Sequence, residues 1–135
     1  MKHLILTLLA GGSLFAASSE INQYMKTLHN EVQQKDPSFK GFDATRGKTI
    51  YFSEHIGKRG KMVSCASCHT KDRTAQGENI FTGKVIEPLS PFANPKRFTK
   101  VKKVKKWLRR NFKDVYKREG TAKEKGDVLK YMMQK

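Results

Sequence analysis

The stretch Cys65-Ala66-Ser67-Cys68-His69 decides how the rest of the chain is read. It is C-x-x-C-H, the attachment pattern of a c-type haem. Two thiols three positions apart can each add to one vinyl group of a single porphyrin. The imidazole of the next residue then falls beneath the iron as the proximal ligand. Cys65 and Cys68 are therefore the candidate cofactor-binding thiols, and His69 is the candidate iron ligand. Other uses of C-x-x-C fit less well. A thioredoxin-type pair sits in a βαβ pattern, which is missing around residue 65. A structural zinc site wants a second Cys pair, but the chain has 2 Cys in all, and His29 and His55 are poorly spaced to replace it.

A covalent haem also answers a problem of composition. The chain has 135 residues, enough for one domain, and only 37% of them are hydrophobic. So thin a core usually needs a staple, and a porphyrin at its centre is one. The N-terminus agrees. Residues 1–18 read MKHLILTLLAGGSLFAAS, with Lys2 before an apolar run from Leu4 to Ala10 and small residues Ala16, Ala17 and Ser18 after it. That is the layout of a secretory signal peptide cleaved near 16–18, and the run is short for a membrane span. The expected location is the bacterial periplasm, where c-type haem is attached.

The flanking sequence reads as helices. Ile21, Tyr24, Met25, Leu28 and Val32 recur at helical spacing, predicting a helix over about 20–34 that ends at Asp36-Pro37-Ser38. Asp43 can cap a second helix over about 44–53. Gly47 inside it costs about 1 kcal/mol relative to Ala, which makes sense if another backbone packs closely there. Residues 57–95 read as mostly loop, broken by Pro88, Pro91 and Pro95. A third helix is predicted over about 100–115, with Val101, Val104, Leu108 and Val115 on one stripe. A fourth runs over about 122–134, with Thr121 as N-cap and Glu124 completing a capping box. No period-2 strand pattern is visible. The expected organisation is a signal peptide (1–18), an N-terminal helical extension (19–40) and a cytochrome c domain (41–135). The expected fold class is all-α, a small class I-like cytochrome c fold with long loops wrapped around the haem.

The ligand opposite His69 governs function. Two strong protein ligands make an electron carrier, whereas a weak or missing distal ligand opens the iron to dioxygen or nitric oxide. Met132 and Met133 lie far enough from His69 to reach around the ring, but their helical spacing with Val128 and Leu129 favours core packing. Met62 is too close to Cys65, and Met25 lies in the N-terminal helix. His29 and His55 could give bis-His ligation, although His55 reads as solvent-facing in the loop before the motif. Asn111 stands out because it continues the apolar stripe of the third helix. A carboxamide buried there must find a partner or cost about 1–3 kcal/mol. Iron, or a ligand on iron, would be such a partner, and so would a loop backbone.

From Cys65 onward the chain resembles the sphaeroides haem protein family of monohaem cytochromes c. The residues that carry the likeness are CASCHT (65–70), FTGKVIEPLSP (81–91), NPKRF (94–98), VKKWLRRN (104–111) and EKGDVL (124–129), with a weaker continuation over 47–52. The middle blocks are more specific than the haem motif. The resemblance implies His69/Asn111 ligation, with an asparagine that leaves the iron on reduction or ligand binding. It also implies partnership with a dihaem cytochrome c and a membrane cytochrome b. Family members often carry a disulfide from a Cys directly after the ligating Asn to a second about eight residues on. Phe112 and approximately Gly120 occupy those places here, so that bridge is missing.

Lys84, Arg97 and Trp107 are candidate partners of the anionic haem propionates. The proximal imidazole is expected to give its other N–H to a carbonyl within residues 86–89. The expected function is an exported electron-transfer cytochrome with weak Asn distal ligation and dioxygen or nitric oxide binding, not an enzyme. The alternatives are a gas sensor or detoxifying haem enzyme, or an ordinary His/Met cytochrome. The formal net charge is +16, and residues 96–135 hold 16 Lys and Arg against 4 Asp and Glu. Export makes nucleic acid an improbable partner, which leaves an acidic redox protein or an anionic membrane surface.

Overall fold

The computed structural model describes residues 17–135, so the expected signal peptide lies outside the described residues apart from its last two positions. Five helices follow in order: α1 (Ser19–Lys35), α2 (Ala44–Phe52), α3 (Ala66–His69), α4 (Val101–Tyr116) and α5 (Ala122–Met132). The helical starts are set by side chains that satisfy free N–H groups. Ser18 accepts from the Ile21 N–H, and Asp43 accepts from the Arg46 N–H at 2.7 Å. Thr121 and Glu124 form a reciprocal capping box. Helix α5 stops at Met132, two residues short of expectation. The Arg73 guanidinium gathers the carbonyls of Tyr131, Met132 and Gln134 there.

The strongest interhelical packing joins α2 to α5. A Cβ at Gly47 would lie 2.0 Å from the Asp127 carbonyl oxygen, so only glycine lets the two backbones meet. Asp127, buried in α5, accepts from the Asp43 N–H and from two nitrogens of Arg46. Helix α1 lays Ile21, Tyr24, Leu28 and Val32 into the same core as Leu108, Phe112, Val128 and Leu129.

Two short antiparallel ribbons accompany the helices of this all-α fold. Strand β1 (His55–Ile56) pairs with β2 (Met62–Val63), and β3 (Gly77–Glu78) pairs with β4 (Val85–Ile86). Each strand is two residues long, too short for a period-2 pattern to register in sequence. The long loops remain the dominant feature of residues 53–100.

Glu124 makes the stability sensitive to acid. The Arg118 guanidinium pulls its carboxyl down to about 2 from the ordinary 4.5. A folded-state depression stabilises fully above the unfolded pKa and is lost as pH falls from about 4.5 towards 2. The pair is partly exposed, so solvent screening limits the effect to about 1 kcal/mol. Glu124→Gln keeps the cap geometry and removes the charge. Its urea midpoint should be lower at pH 7 and equal to that of the wild type near pH 2.

Candidate functional site

The site is a cavity of about 610 Å³. Its wall combines α3 (Cys65 as its N-cap, His69), the 89–100 loop, the inner face of α4 and the last turns of α5. Leu89, Phe98, Val104, Leu108, Val128 and Leu129 supply apolar surface, and the volume falls in the range of cofactor pockets. Four lining residues are cations (Lys96, Arg97, Lys100 and Lys103), and none of the lining residues is a carboxylate.

The C-x-x-C-H segment is held by neighbours that the motif does not reveal. Tyr51, buried in α2, donates its hydroxyl to the carbonyls of His69 (3.2 Å) and Thr70 (2.8 Å). Thr70 turns the chain out of α3 with φ of 64°. On the other side, a Cβ at Gly77 would sit 2.1 Å from the Cys68 carbonyl oxygen, so β3 lies flush against α3. Tyr51 reads in sequence only as an apolar helix position, and the Gly77 approach leaves no local sequence signal.

His69 is poised as a ligand. Burial, with a smaller contribution from the Arg97 charge, pushes its imidazole down to about 4. The ring is therefore neutral at physiological pH, the form that binds metals. Its Nδ1 is buried without a hydrogen-bond partner. The expected donation to a carbonyl of the 86–89 loop is not formed, because Arg97 uses that loop. The Arg97 guanidinium donates to the carbonyls of Pro88 (2.8 Å) and Glu87. An orphaned buried nitrogen costs about 1–3 kcal/mol. The neutral His69 ring at the wall of an apolar, cation-rimmed cavity fits a site made for a group the chain does not itself supply. Burial also pushes the Cys65 thiol up to about 12. That opposes thiolate chemistry of the thioredoxin or zinc kind and suits a thioether.

The other expected residues divide. Asn111 lines the cavity from α4, half-buried, and its carboxamide makes no hydrogen bond to any described residue. Arg97 and Trp107 line it too, and Trp107 is 47% exposed at the edge. Lys84 is not part of the wall. The turn closed by the Asn79 N–H to Lys84 carbonyl bond carries it, exposed, to the end of the β3–β4 ribbon. Met132 lines the cavity from α5 but is buried in the core with Leu129 and Tyr131, whereas Met133 caps α5 outside the lining. His55 corrects the solvent-facing expectation. Its ring stacks on Tyr116 at 4.1 Å between centroids, and its Nε2 is sealed from solvent without a partner. After Asn111, the Phe112 ring packs on Gly120, where a Cβ would lie 2.7 Å from it. An aromatic contact thus closes the loop after Asn111.

Five helices, a half-buried histidine beside two cysteines and an apolar cavity with a cationic rim define a c-type cytochrome. A family model described as a domain of unknown function, DUF1924, matches residues 37–132. Cytochrome c-type protein SHP of Cereibacter sphaeroides is 42% identical over 90 residues, covering 67% of this chain and 69% of that protein. Cytochrome c'' of Methylophilus methylotrophus is 33% identical over 104 residues, covering 77% and 72%. The crystal structure of oxidised cytochrome c'' superposes with a TM-score of 0.76 at 30% identity, over 85% of this chain and 94% of that one. Oxidised SHP, described there as an oxygen-binding cytochrome c, superposes with a TM-score of 0.73 at 35% identity, over 84% and 95%. The chain belongs to this family of sphaeroides haem protein and cytochrome c''. It is a monohaem c-type cytochrome with covalently bound haem c, and Cys65, Cys68 and His69 are the residues that would hold the group and its iron.

Pyridine haemochrome analysis should give one c-type haem per chain, retained through acid–acetone extraction. A Cys65→Ser/Cys68→Ser variant should release all of it.

Proposed function

We propose that the protein is an exported electron-transfer cytochrome in which Asn111 is a weak distal ligand, giving the reduced iron access to dioxygen or nitric oxide. Haem iron, when bound, would supply a one-electron couple and a metal centre able to bind a small ligand. The observation that carries the reading is the placement of Asn111. It shares one cavity with His69, comes from a separate element, and has a carboxamide with no hydrogen-bond partner among the described residues. A neutral amide is a poorer iron ligand than imidazole or thioether, so release costs little. The chain's part is to keep that amide in place and keep the site dry. Leu108 and Phe112 on α4 are both buried and bracket Asn111 along the helix. Phe112 in turn packs on Tyr116 and Gly120.

Two relatives point the same way. One is described as an oxygen-binding cytochrome c, and the solution structure of cytochrome c'' is described as giving insight into haem-ligand detachment. The cationic rim suits the propionates, with Arg97 and Trp107 as the nearest candidates. A dihaem cytochrome c and a membrane cytochrome b are the redox partners that the family likeness implies for this chain in the periplasm. A sensor or detoxifying enzyme would use the same open position. Against catalysis, neither Asp nor Glu lines the cavity among the described residues to act as a general acid or base.

A second reading has one observation in its favour: Met132 lines the same cavity. Stopped-flow mixing of reduced protein with nitric oxide separates the two. The wild type should bind rapidly, and Asn111→Met should slow binding at least about tenfold by supplying a stronger sixth ligand. Slow wild-type binding that Met132→Leu accelerates, with no effect of Asn111 substitution, would establish His/Met ligation instead.

A further inference from the structure

A second concavity lies apart from the haem cavity, in the notch where α1, the outer face of α4 and the first turns of α5 meet. Its volume is about 350 Å³, and Tyr24, Lys105, Lys106, Arg109, Glu119 and Lys125 line it. That volume falls in the range of small-molecule sites. None of these residues lines the haem cavity.

Four of the lining residues are cations, set against one carboxylate. Lys105 and Arg109 stand one turn apart on α4 with Lys106 beside them, and Lys125 joins them from α5. None of the four makes an ion pair among the described residues. The nearby acids are engaged elsewhere. Glu119, the carboxylate of the lining, is held by Lys113 at 3.5 Å. Glu31, whose charge is felt at Tyr24, pairs with Lys35 at 3.9 Å.

The notch is more than a solvated face. Tyr24 is only 8% exposed, and its ring holds the Lys105 ammonium 4.9 Å from the centroid. Burial, and then the Glu31 charge, raises the pKa of its phenol, so the hydroxyl stays a donor. Lys125 is half-buried. Bringing like charges together while partly drying one of them costs free energy that a bound anion would offset. The donor set selects the anion. A guanidinium presents a planar fork matched to phosphate oxygens, and lysines add point charges around it. A single carboxylate would leave most of the positive excess unmatched.

We propose that this notch is a binding site for a phosphate-bearing anion, held by Lys105, Lys106, Arg109 and Lys125. The recognised group is the phosphate itself, on a free polyanion or on a lipid headgroup. The site is independent of what occupies the haem cavity.

Isothermal titration of the haem-loaded protein with inorganic pyrophosphate tests it. The salt should be roughly 0.1 M, where charges more than about 10 Å apart are largely screened. One site per chain is expected. Arg109→Gln with Lys125→Gln should weaken binding at least about tenfold, through the loss of two charge-assisted contacts. Lys71→Gln with Lys84→Gln removes the same charge from two exposed residues that line neither the notch nor the haem cavity. That pair should change the affinity less than about twofold. Sedimentation with phosphatidylglycerol vesicles separates the two sources. Pyrophosphate binding lost only in the notch variant supports a free anion. Vesicle binding lost only in the notch variant, with no pyrophosphate bound, supports a lipid headgroup. Equal effects of the two pairs of substitutions would make any binding a matter of overall charge and overturn the proposal, as would a protein that binds neither probe.

Discussion

The fold is organised around a space that its own side chains do not fill. A cavity of about 610 Å³ sits where α3, α4, α5 and the 89–100 loop converge. In a chain this poor in apolar residues, such a hole is costly unless a large flat group occupies it. Haem c is that group, and the surrounding devices make sense as means of holding a frame open for it. The Gly47 approach locks α2 against α5, the pairing of Arg46 with the buried Asp127 ties the entry of α2 to α5, and Tyr51 reaches from α2 to fix the carbonyls of His69 and Thr70. None of these contacts touches iron chemistry. Together they set where the imidazole stands.

The charge of the chain separates into parts with different duties. Lys96, Arg97, Lys100 and Lys103 belong to the cavity wall and face a cofactor whose propionates are anionic. Arg97 is held there at some cost, since burial lowers its pKa, and its donors reach the carbonyls of Glu87 and Pro88. The lysines along the outer face of α4 border the notch, with Lys105 over Tyr24 and Lys106 over Trp107. The ribbon cations Lys61 and Lys84 are exposed and line neither the cavity nor the notch. A single figure of +16 conceals these three settings.

Much of this was legible in the sequence wherever the signal was local. The C-x-x-C-H pattern, the Asp43 and Thr121 caps and the α1 and α4 stripes all depend on residues a few positions apart, and Gly47 stood out as a glycine inside a helix although its partner Asp127 lies far along the chain. What was not legible depended on contacts between distant segments. Arg73 finishing α5, Tyr51 under His69, and Arg97 taking the carbonyls expected for the proximal imidazole all join residues from 9 to 61 positions apart. His55 deceived because a Gly-rich neighbourhood reads as exposed, yet Gly57 lets the loop press against the Asp114 carbonyl and carries the ring onto Tyr116. Lys84 lay in a block shared with relatives, but its turn delivers it to the ribbon rather than the cavity. Asn111 was visible as a polar break in an apolar stripe, and it lines the cavity with a carboxamide unpaired among the described residues.

What Asn111 does when the iron changes oxidation state decides between an open and a closed haem site. Magnetic circular dichroism of one sample, recorded oxidised and then reduced, reads both the distal ligand and its loss. A labile asparagine predicts an oxidised form without the thioether band near ~695 nm, then a high-spin reduced form, and a low-spin reduced form once Asn111 is replaced by Met. A wild-type protein that shows the thioether band and stays low-spin on reduction would contradict it.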